Sequence, residues 1–148
     1  MGCFFEWRCK DCGAGESFFC GGGFSDFNPA DAVEQSKRGD FGPALKALLG
    51  NDIPRGWSVL RENSYYECPF CGGVVLGTSL QIEDGSNGWL EYHAIPDKCP
   101  SCGESLQAGE CMPPMSEGEL SARCEGFASA ECPKCGSKNV STSYGSWD

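Results

Sequence analysis

The sequence predicts a small α+β fold that depends on cross-links or bound metal instead of a large apolar core. Only 26 of the 148 residues are Leu, Ile, Val or Phe, and the net charge is −10. A chain of this composition is ordinarily too polar to fold by itself. Twelve cysteines are present, and cross-links or metal held by them would supply the stability that the small core lacks.

Eight of the cysteines form four copies of one motif, Cys-x-x-Cys-Gly, which we call knuckles 1 to 4 in chain order. They are Cys9 and Cys12, Cys68 and Cys71, Cys99 and Cys102, and Cys132 and Cys135. Two intervening residues allow a tight turn that directs both sulfurs to one point, and the glycine that follows can adopt the left-handed conformation. One knuckle supplies half of a tetrahedral site, so the four knuckles predict two four-cysteine metal sites.

Zinc is the expected metal, because four thiolates suit it and it has no redox chemistry of its own. The predicted cofactors are therefore two Zn²⁺ ions, with iron as the alternative at one site, since the same four sulfurs bind iron. Disulfides are the rival interpretation. A secreted disulfide scaffold would need a signal sequence and would not place a glycine after every second cysteine.

The knuckle motifs resemble those of the zinc-ribbon superfamily, in which two knuckles at the tips of β-hairpins hold one zinc ion. The layout is also similar to that of uncharacterised bacterial proteins with paired zinc ribbons. This resemblance implies two zinc ribbons built from short antiparallel hairpins. It implies no enzymatic activity.

The pairing of the knuckles is open at this stage. Residues 74–82 and 89–95 read as two strands joined by a turn at 83–88, and this hairpin would bring knuckles 2 and 3 together. Knuckles 1 and 4 would then form the second site. A strand at residues 64–67 is equally compatible with the pairing of 1 with 2 and 3 with 4. We favour the nested arrangement.

Two helices are predicted between the first two knuckles, after a short strand at residues 16–20. Asn28 and Pro29 open a helix that ends before Gly39, and a second helix spans residues 43–49. The apolar residues expected to cover the sheet are Leu45, Leu48, Leu49, Phe41 and Val33. The helical insertion therefore spans about residues 28–50, and residues 40–63 read as helix and loop.

The second half of the chain shows weaker patterns. Residues 104–131 are predicted to be rich in loops, with Ser116 and Glu119 as the capping box of a helix of one or two turns that ends at Arg123. Residues 140–144 read as a last strand. We expect residues 1–148 to form a single compact unit that contains both sites.

Four cysteines lie outside the knuckles: Cys3, Cys20, Cys111 and Cys124. Free cysteine commonly behaves as a small buried apolar residue, and we interpret all four in this way. Cys3 and Cys20 flank knuckle 1 at nearly symmetric offsets, so they would face each other across two strands. A redox pair or a third metal site is the alternative for these cysteines.

The sequence contains no recognisable set of catalytic residues. His93 is its only histidine and lies within a predicted strand, so neither a Ser-His-Asp triad nor a metalloprotease motif can be assembled. A site with four thiolate ligands leaves no open coordination position for water. We therefore predict a protein that is not an enzyme and has no small-molecule substrate.

The expected partner is another protein, bound through an acidic surface that carries aromatic side chains. The aromatic residues in excess of a small core are Tyr65, Tyr66, Trp57, Trp89 and Trp147. Nucleic acid is the alternative partner, but each four-thiolate zinc site adds about −2, so the loaded chain approaches about −14 and would repel phosphates. Two further alternatives are an acidic DNA-mimic inhibitor and a rubredoxin-like electron carrier.

No membrane association is expected. No apolar run approaches the roughly 18 residues that span a bilayer, and residues 1–6 lack the basic and apolar regions of a signal peptide. The predicted location is the cytoplasm.

Overall fold

The computed structural model describes residues 2–21, 29–49, 52–86, 88–107 and 112–147. Within them, two three-stranded antiparallel sheets carry three helices. The elements are β1 (Gly2–Cys9), β2 (Gly15–Cys20), α1 (Pro29–Arg38), α2 (Pro43–Leu48), β3 (Ser58–Glu67), β4 (Val74–Glu83), β5 (Trp89–Ala94), α3 (Glu117–Ser129) and β6 (Val140–Trp147). Asn28, residue 87 of the predicted turn at 83–88, and Cys111 lie outside the described residues.

Sheet A has the strand order β2-β1-β6, so the two ends of the chain share one sheet. Phe5 lies opposite Phe18 on one side and Tyr144 on the other. Trp147, at the end of β6, donates a hydrogen bond from Nε1 to the Cys3 carbonyl oxygen over 3.1 Å. The last strand therefore pairs with the first. It is also longer than the predicted strand at residues 140–144, since it continues to Trp147.

Sheet B has the strand order β3-β4-β5. The β4–β5 hairpin predicted from the sequence is present, with Ile82 opposite Leu90 and Ser79 opposite His93. β3 begins at Ser58, so the last six residues of the segment 40–63 belong to a strand and not to a loop. Residues 61–64 are all polar, so the sequence lacks the alternation of apolar and polar residues that would have predicted this strand. Pairing with β4 over ten residues stabilises it.

The helices α1 and α2 cover one face of sheet B. Leu45 and Leu49 are fully buried against Leu80 and Ile82 of β4, as their spacing of four residues predicts. Leu48 is predicted to cover the sheet with them, but this last residue of α2 has a side chain that is 41% exposed. Val33 is buried, and Phe41 belongs to the same cluster as Leu45.

The helix α3 is longer than the sequence suggests and joins the two sheets. It spans 13 residues instead of the predicted one or two turns. The predicted capping box is present: the Ser116 hydroxyl accepts from the Glu119 N–H, and the Glu119 carboxylate accepts from the Ser116 N–H. Leu120 and Cys124 pack in one cluster with Phe5 and Trp7 of β1 and Tyr65 of β3. This tertiary packing extends a helix whose glycines give it weak intrinsic propensity.

A direct contact between β2 and β3 also connects the two sheets. The Phe19 N–H donates to the Tyr65 hydroxyl over 2.7 Å, and the Phe18 and Tyr65 rings meet edge to face with centroids 5.3 Å apart. Gly21 forms an isolated bridge with Asn63. The outer edge of β2 is thus covered by β3.

Candidate metal centres

The four knuckles have one and the same local structure. In each, the N–H of the glycine after the second cysteine donates to the carbonyl of the first cysteine over 2.8–3.0 Å. Each of these glycines has a positive φ of 70–77°, a conformation that disfavours any residue with a Cβ atom. The motif therefore encodes a complete turn within five residues.

The knuckles are brought together in the nested arrangement. Knuckle 1 lies at the tip of the β1–β2 hairpin and meets knuckle 4, which precedes β6. Knuckle 2 lies at the tip of the β3–β4 hairpin and meets knuckle 3, which follows β5. The resulting groups are Cys9, Cys12, Cys132 and Cys135 (group 1), and Cys68, Cys71, Cys99 and Cys102 (group 2).

The sulfur positions fit tetrahedral coordination of one ion in each group. In group 1 the Sγ–Sγ distance is 3.6 Å between Cys9 and Cys135 and 3.7 Å between Cys12 and Cys132. In group 2 both corresponding distances, Cys68 to Cys102 and Cys71 to Cys99, are 3.8 Å. A tetrahedron with metal–sulfur bonds of about 2.3 Å has an edge of about 3.8 Å. Both groups are therefore close enough to bind a metal ion.

Backbone hydrogen bonds lower the pKa of one thiol in each group. The N–H groups of Cys102 and Ser101 lower the pKa of Cys99 to about 6. Burial opposes ionisation of Cys132, but the N–H groups of Cys135 and Lys134 outweigh it and lower its pKa to about 7. Such donors offset the negative charge of a thiolate, as the turn geometry predicts.

One further thiol in each group has a raised pKa. At Cys102 the Glu104 N–H favours the thiolate, but burial and the adjacent thiols together raise the pKa to about 12. At Cys135 the Ser137 N–H also favours the thiolate, but the adjacent thiols and burial together raise the pKa to about 12. Four thiolates therefore coexist in one group only when a cation compensates their charge.

Each group is partly enclosed by the protein. The first cysteine of every knuckle is buried, whereas the second is partly or fully exposed. Val75, Leu106 and Met112 cover group 2 together with the fully buried Tyr66 ring. The ligand atoms thus lie at the surface ends of the two sheets, with one side of each group accessible to solvent.

Two connections beside the groups give no signal in the sequence. The Asp11 carboxylate of knuckle 1 accepts hydrogen bonds from the Ser137 hydroxyl and from Asn139 Nδ2 next to knuckle 4, the latter over 3.0 Å. These hydrogen bonds lower the pKa of Asp11, and the one from Ser137 has the larger effect. At group 2, Arg123 of α3 donates to the Gly72 carbonyl. A search for acidic or basic residues inside and just after the knuckles would have named Asp11, but not its partners.

Three of the remaining cysteines, Cys3, Cys20 and Cys124, belong to neither group. Cys3 and Cys20 are directly opposed on β1 and β2, as their offsets predict. Cys20 and Cys124 are buried, and Cys3 is half-buried. Within the described residues, His, Cys, Asp and Glu side chains form no third group comparable with groups 1 and 2. Cys111 lies outside those residues, so nothing is assigned to it.

His93 is a satisfied strand residue, in agreement with the sequence analysis. Its Nδ1 lies 2.8 Å from the hydroxyl of Tyr66, and its Nε2 lies 3.8 Å from the Glu91 carboxylate. Tyr65 and Tyr66, predicted to be in excess of the core, are instead buried. Their burial follows from hydroxyl partners that the sequence does not reveal: the Phe19 backbone for Tyr65 and the His93 ring for Tyr66.

Comparison with known proteins identifies no family for this chain. No protein-family model matches the chain, and no similar curated protein or solved structure was found. Among the described helices, none has the length and apolar character needed to cross a bilayer.

Proposed function

We propose that the protein is a non-enzymatic zinc-binding protein in which each four-cysteine group holds one structural Zn²⁺ ion. The observation that carries the proposal is the assembly of eight cysteines into two sets of four with sulfur–sulfur distances of 3.6–3.8 Å. Four protein ligands complete a tetrahedral shell and leave no position for water or substrate. This property favours a structural role of the metal over a catalytic one.

Each ion would connect parts of the chain that are distant in sequence. Cys9 and Cys135 are separated by 126 positions, and Cys68 and Cys102 by 34. An ion in group 1 would hold knuckle 4, and so the start of β6, against the tip of the first hairpin. Its binding free energy would contribute directly to folding, because the unfolded chain offers no preformed site.

Elemental analysis of the purified chain tests this proposal. We expect two zinc atoms per chain and a lower zinc content after Cys→Ser substitution at any of the eight knuckle positions. Cys124→Ser is the matched control, since Cys124 is a buried cysteine outside both groups. A coloured iron-containing protein would contradict the choice of zinc, and loss of metal in the control variant would contradict the ligand sets.

We further propose that the strand β5 is the surface that binds another protein. Trp89 and Leu90 are consecutive on this strand, so their side chains lie on opposite faces of sheet B, and they are 54% and 46% exposed. β5 pairs only with β4 in the part of the chain that the structure describes, so its other edge offers unpaired backbone groups. Glu91 adds negative charge at the same strand, and the charge of the whole chain favours a basic partner.

Binding measurements with variants of the zinc-loaded protein test this surface. For a purified partner, we expect Trp89→Ser to weaken the affinity about 30-fold, the effect of losing a hot-spot contact of about 2 kcal/mol. Tyr144→Ser is the matched control, because Tyr144 is an 83% exposed aromatic residue on sheet A. Equal effects of the two substitutions, or a larger effect at Tyr144, would contradict the proposal.

A further inference from the structure

Cys3 and Cys20 form a thiol pair outside the two four-cysteine groups. They are direct partners across the β1–β2 ladder. The Cys9 N–H donates to the Ala14 carbonyl over 2.7 Å, and hydrogen-bonded pairs alternate along an antiparallel ladder, so Cys3 and Cys20 also occupy a hydrogen-bonded pair. Their Cα atoms are therefore about 5.5 Å apart, a separation at which both sulfurs can reach one ion.

The thiol pair lines a cavity that is also lined by a methionine. The cavity has a volume of about 510 Å³ and lies where the end of sheet A meets β3 and the start of α3. Met115 lines it together with Cys3 and Cys20, and its backbone is fixed by a 2.7 Å hydrogen bond from its N–H to the Tyr65 carbonyl. Three residues whose side chains carry soft sulfur donors thus line one solvent-accessible cavity.

The cavity is lined by two acidic side chains. Glu62 and Glu117 line it, and no Lys, Arg or His among the described residues does so. Burial raises the pKa of Cys20 to about 12. Burial and then a hydrogen bond to Glu117 raise the pKa of Cys3, and burial followed by repulsion from Glu91 raises that of Glu62. A bound cation would relieve this accumulation of potential negative charge.

The donor set selects the class of ion. The described His, Cys, Asp and Glu side chains place no third ligand atom close to both thiols, so the set is incomplete for tetrahedral zinc. Two thiolates and one thioether instead match Cu(I), which prefers soft donors and accepts few ligands. We propose that Cys3, Cys20 and Met115 bind one Cu(I) ion, at a site separate from the two four-cysteine groups.

Anaerobic titration of the zinc-loaded full chain with Cu(I) buffered by a chromophoric chelator tests the proposal. We expect the first equivalent of copper to bind while the chain keeps all the zinc it held before the addition. X-ray absorption should show a shell of sulfur neighbours around this copper. The zinc count before addition of copper tests the proposed function independently, so the two proposals can fail separately.

Variants at the cavity locate the site. Cys3→Ser and Cys20→Ser should each weaken binding of the first equivalent by at least ~100-fold, the upper end of the loss caused by removing an outer-shell partner. Met115→Leu, which keeps the side-chain volume, should weaken it by about tenfold and remove one sulfur neighbour from the copper shell. Cys124→Ser should leave the affinity unchanged, because Cys124 packs nearby without lining the cavity.

Three results would overturn the proposal. The first is that adding one equivalent of copper releases the same amount of zinc from the unmodified protein and from Cys3→Ser. The second is a loss of affinity in Cys124→Ser as large as that in Cys20→Ser. The third is a third bound zinc ion that disappears in Cys3→Ser, which would assign the cavity to zinc.

Discussion

At the scale of single residues, the knuckle glycines are required for their backbone conformation and not for space. Gly72 has φ of 70°, and a Cβ atom built on it would contact nothing within 4 Å. Its N–H donates to the Cys68 carbonyl over 2.9 Å. The left-handed conformation is thus held by the turn, and a larger residue would be strained without being sterically excluded.

Substitution of Gly72 isolates this backbone effect. We expect Gly72→Ala to lower the free energy of unfolding of the zinc-loaded protein by about 1–2 kcal/mol, the cost of a left-handed alanine. Gly126→Ala is the control, since Gly126 lies within α3 with equal free space. That change should stabilise the protein by up to about 1 kcal/mol through helix propensity. Urea unfolding measures both, and destabilisation of the same size in the two variants would contradict this explanation.

At the scale of elements, α3 holds sheet A and knuckle 2 in one assembly. Its Leu120 and Cys124 pack against β1, and its Phe127 ring stacks on Trp7 with centroids 4.7 Å apart. On the other side, the Arg123 guanidinium donates to the Gly72 carbonyl and contacts the Glu67 carboxylate at 3.4 Å. One helix therefore stabilises the hairpins of both four-cysteine groups.

Removal of the Arg123 side chain measures this connection. We expect Arg123→Ala to lower the free energy of unfolding by about 1.5–3 kcal/mol, the range for hydrogen bonds to charged groups. Arg38→Ala is the matched control. Its ion pair with Asp40 is solvent-exposed, and such a pair contributes at most about 1 kcal/mol. Chemical denaturation with zinc present compares the variants, and equal losses would show that Arg123 does not anchor the helix.

At the scale of the whole molecule, the proposed metal ions should decide whether the chain folds. Structural zinc contributes about 10–16 kcal/mol of apparent binding free energy per site, which exceeds the 5–15 kcal/mol total stability of an ordinary domain. Removal of metal by a chelator should therefore abolish the near-UV circular dichroism, and added zinc should restore it. A native-like near-UV spectrum in a zinc-free sample would show that the apolar core suffices for folding.

The charge of the whole molecule predicts weak affinity for nucleic acid. Eleven basic residues are outnumbered by twenty-one acidic ones, whereas ordinary duplex binders neutralise about six to ten phosphates with Lys or Arg. We expect no binding to random duplex tighter than about 10⁻⁴ M at physiological salt. Fluorescence anisotropy with labelled duplex measures it. Micromolar binding that weakens steeply with salt would favour the nucleic-acid alternative over a protein partner.

Single strands need a separate measurement, because stacking on exposed aromatic rings contributes about 1–3 kcal/mol per base without basic residues. The exposed aromatic rings among the described residues are those of Phe19, Phe70, Trp89 and Tyr144. Absence of binding to labelled single strands is the expected result for a protein-binding surface. Affinity that falls on Trp89→Ser would assign that ring to nucleic acid instead.

Local features of this protein could be read from the sequence, because each is complete within a few neighbouring residues. A knuckle needs only its two cysteines and the glycine that follows, and the capping box only Ser116 and Glu119. The β4–β5 hairpin is equally local, with two strands around one short turn. The opposition of Cys3 and Cys20 followed from their offsets to knuckle 1.

Features that depend on contacts between distant segments were decided only by the tertiary structure. The knuckle turns allow either pairing, and the two sheets bring knuckle 1 to knuckle 4. The hydrogen bonds of Asp11 also join distant segments, because its partners lie 126 and 128 positions away in the sequence. The helix α3 is longer than predicted because Leu120 and Cys124 are buried against residues from other elements. A sequence pattern reports local backbone preference, whereas these features arise from burial and hydrogen bonds that exist only after the chain has folded.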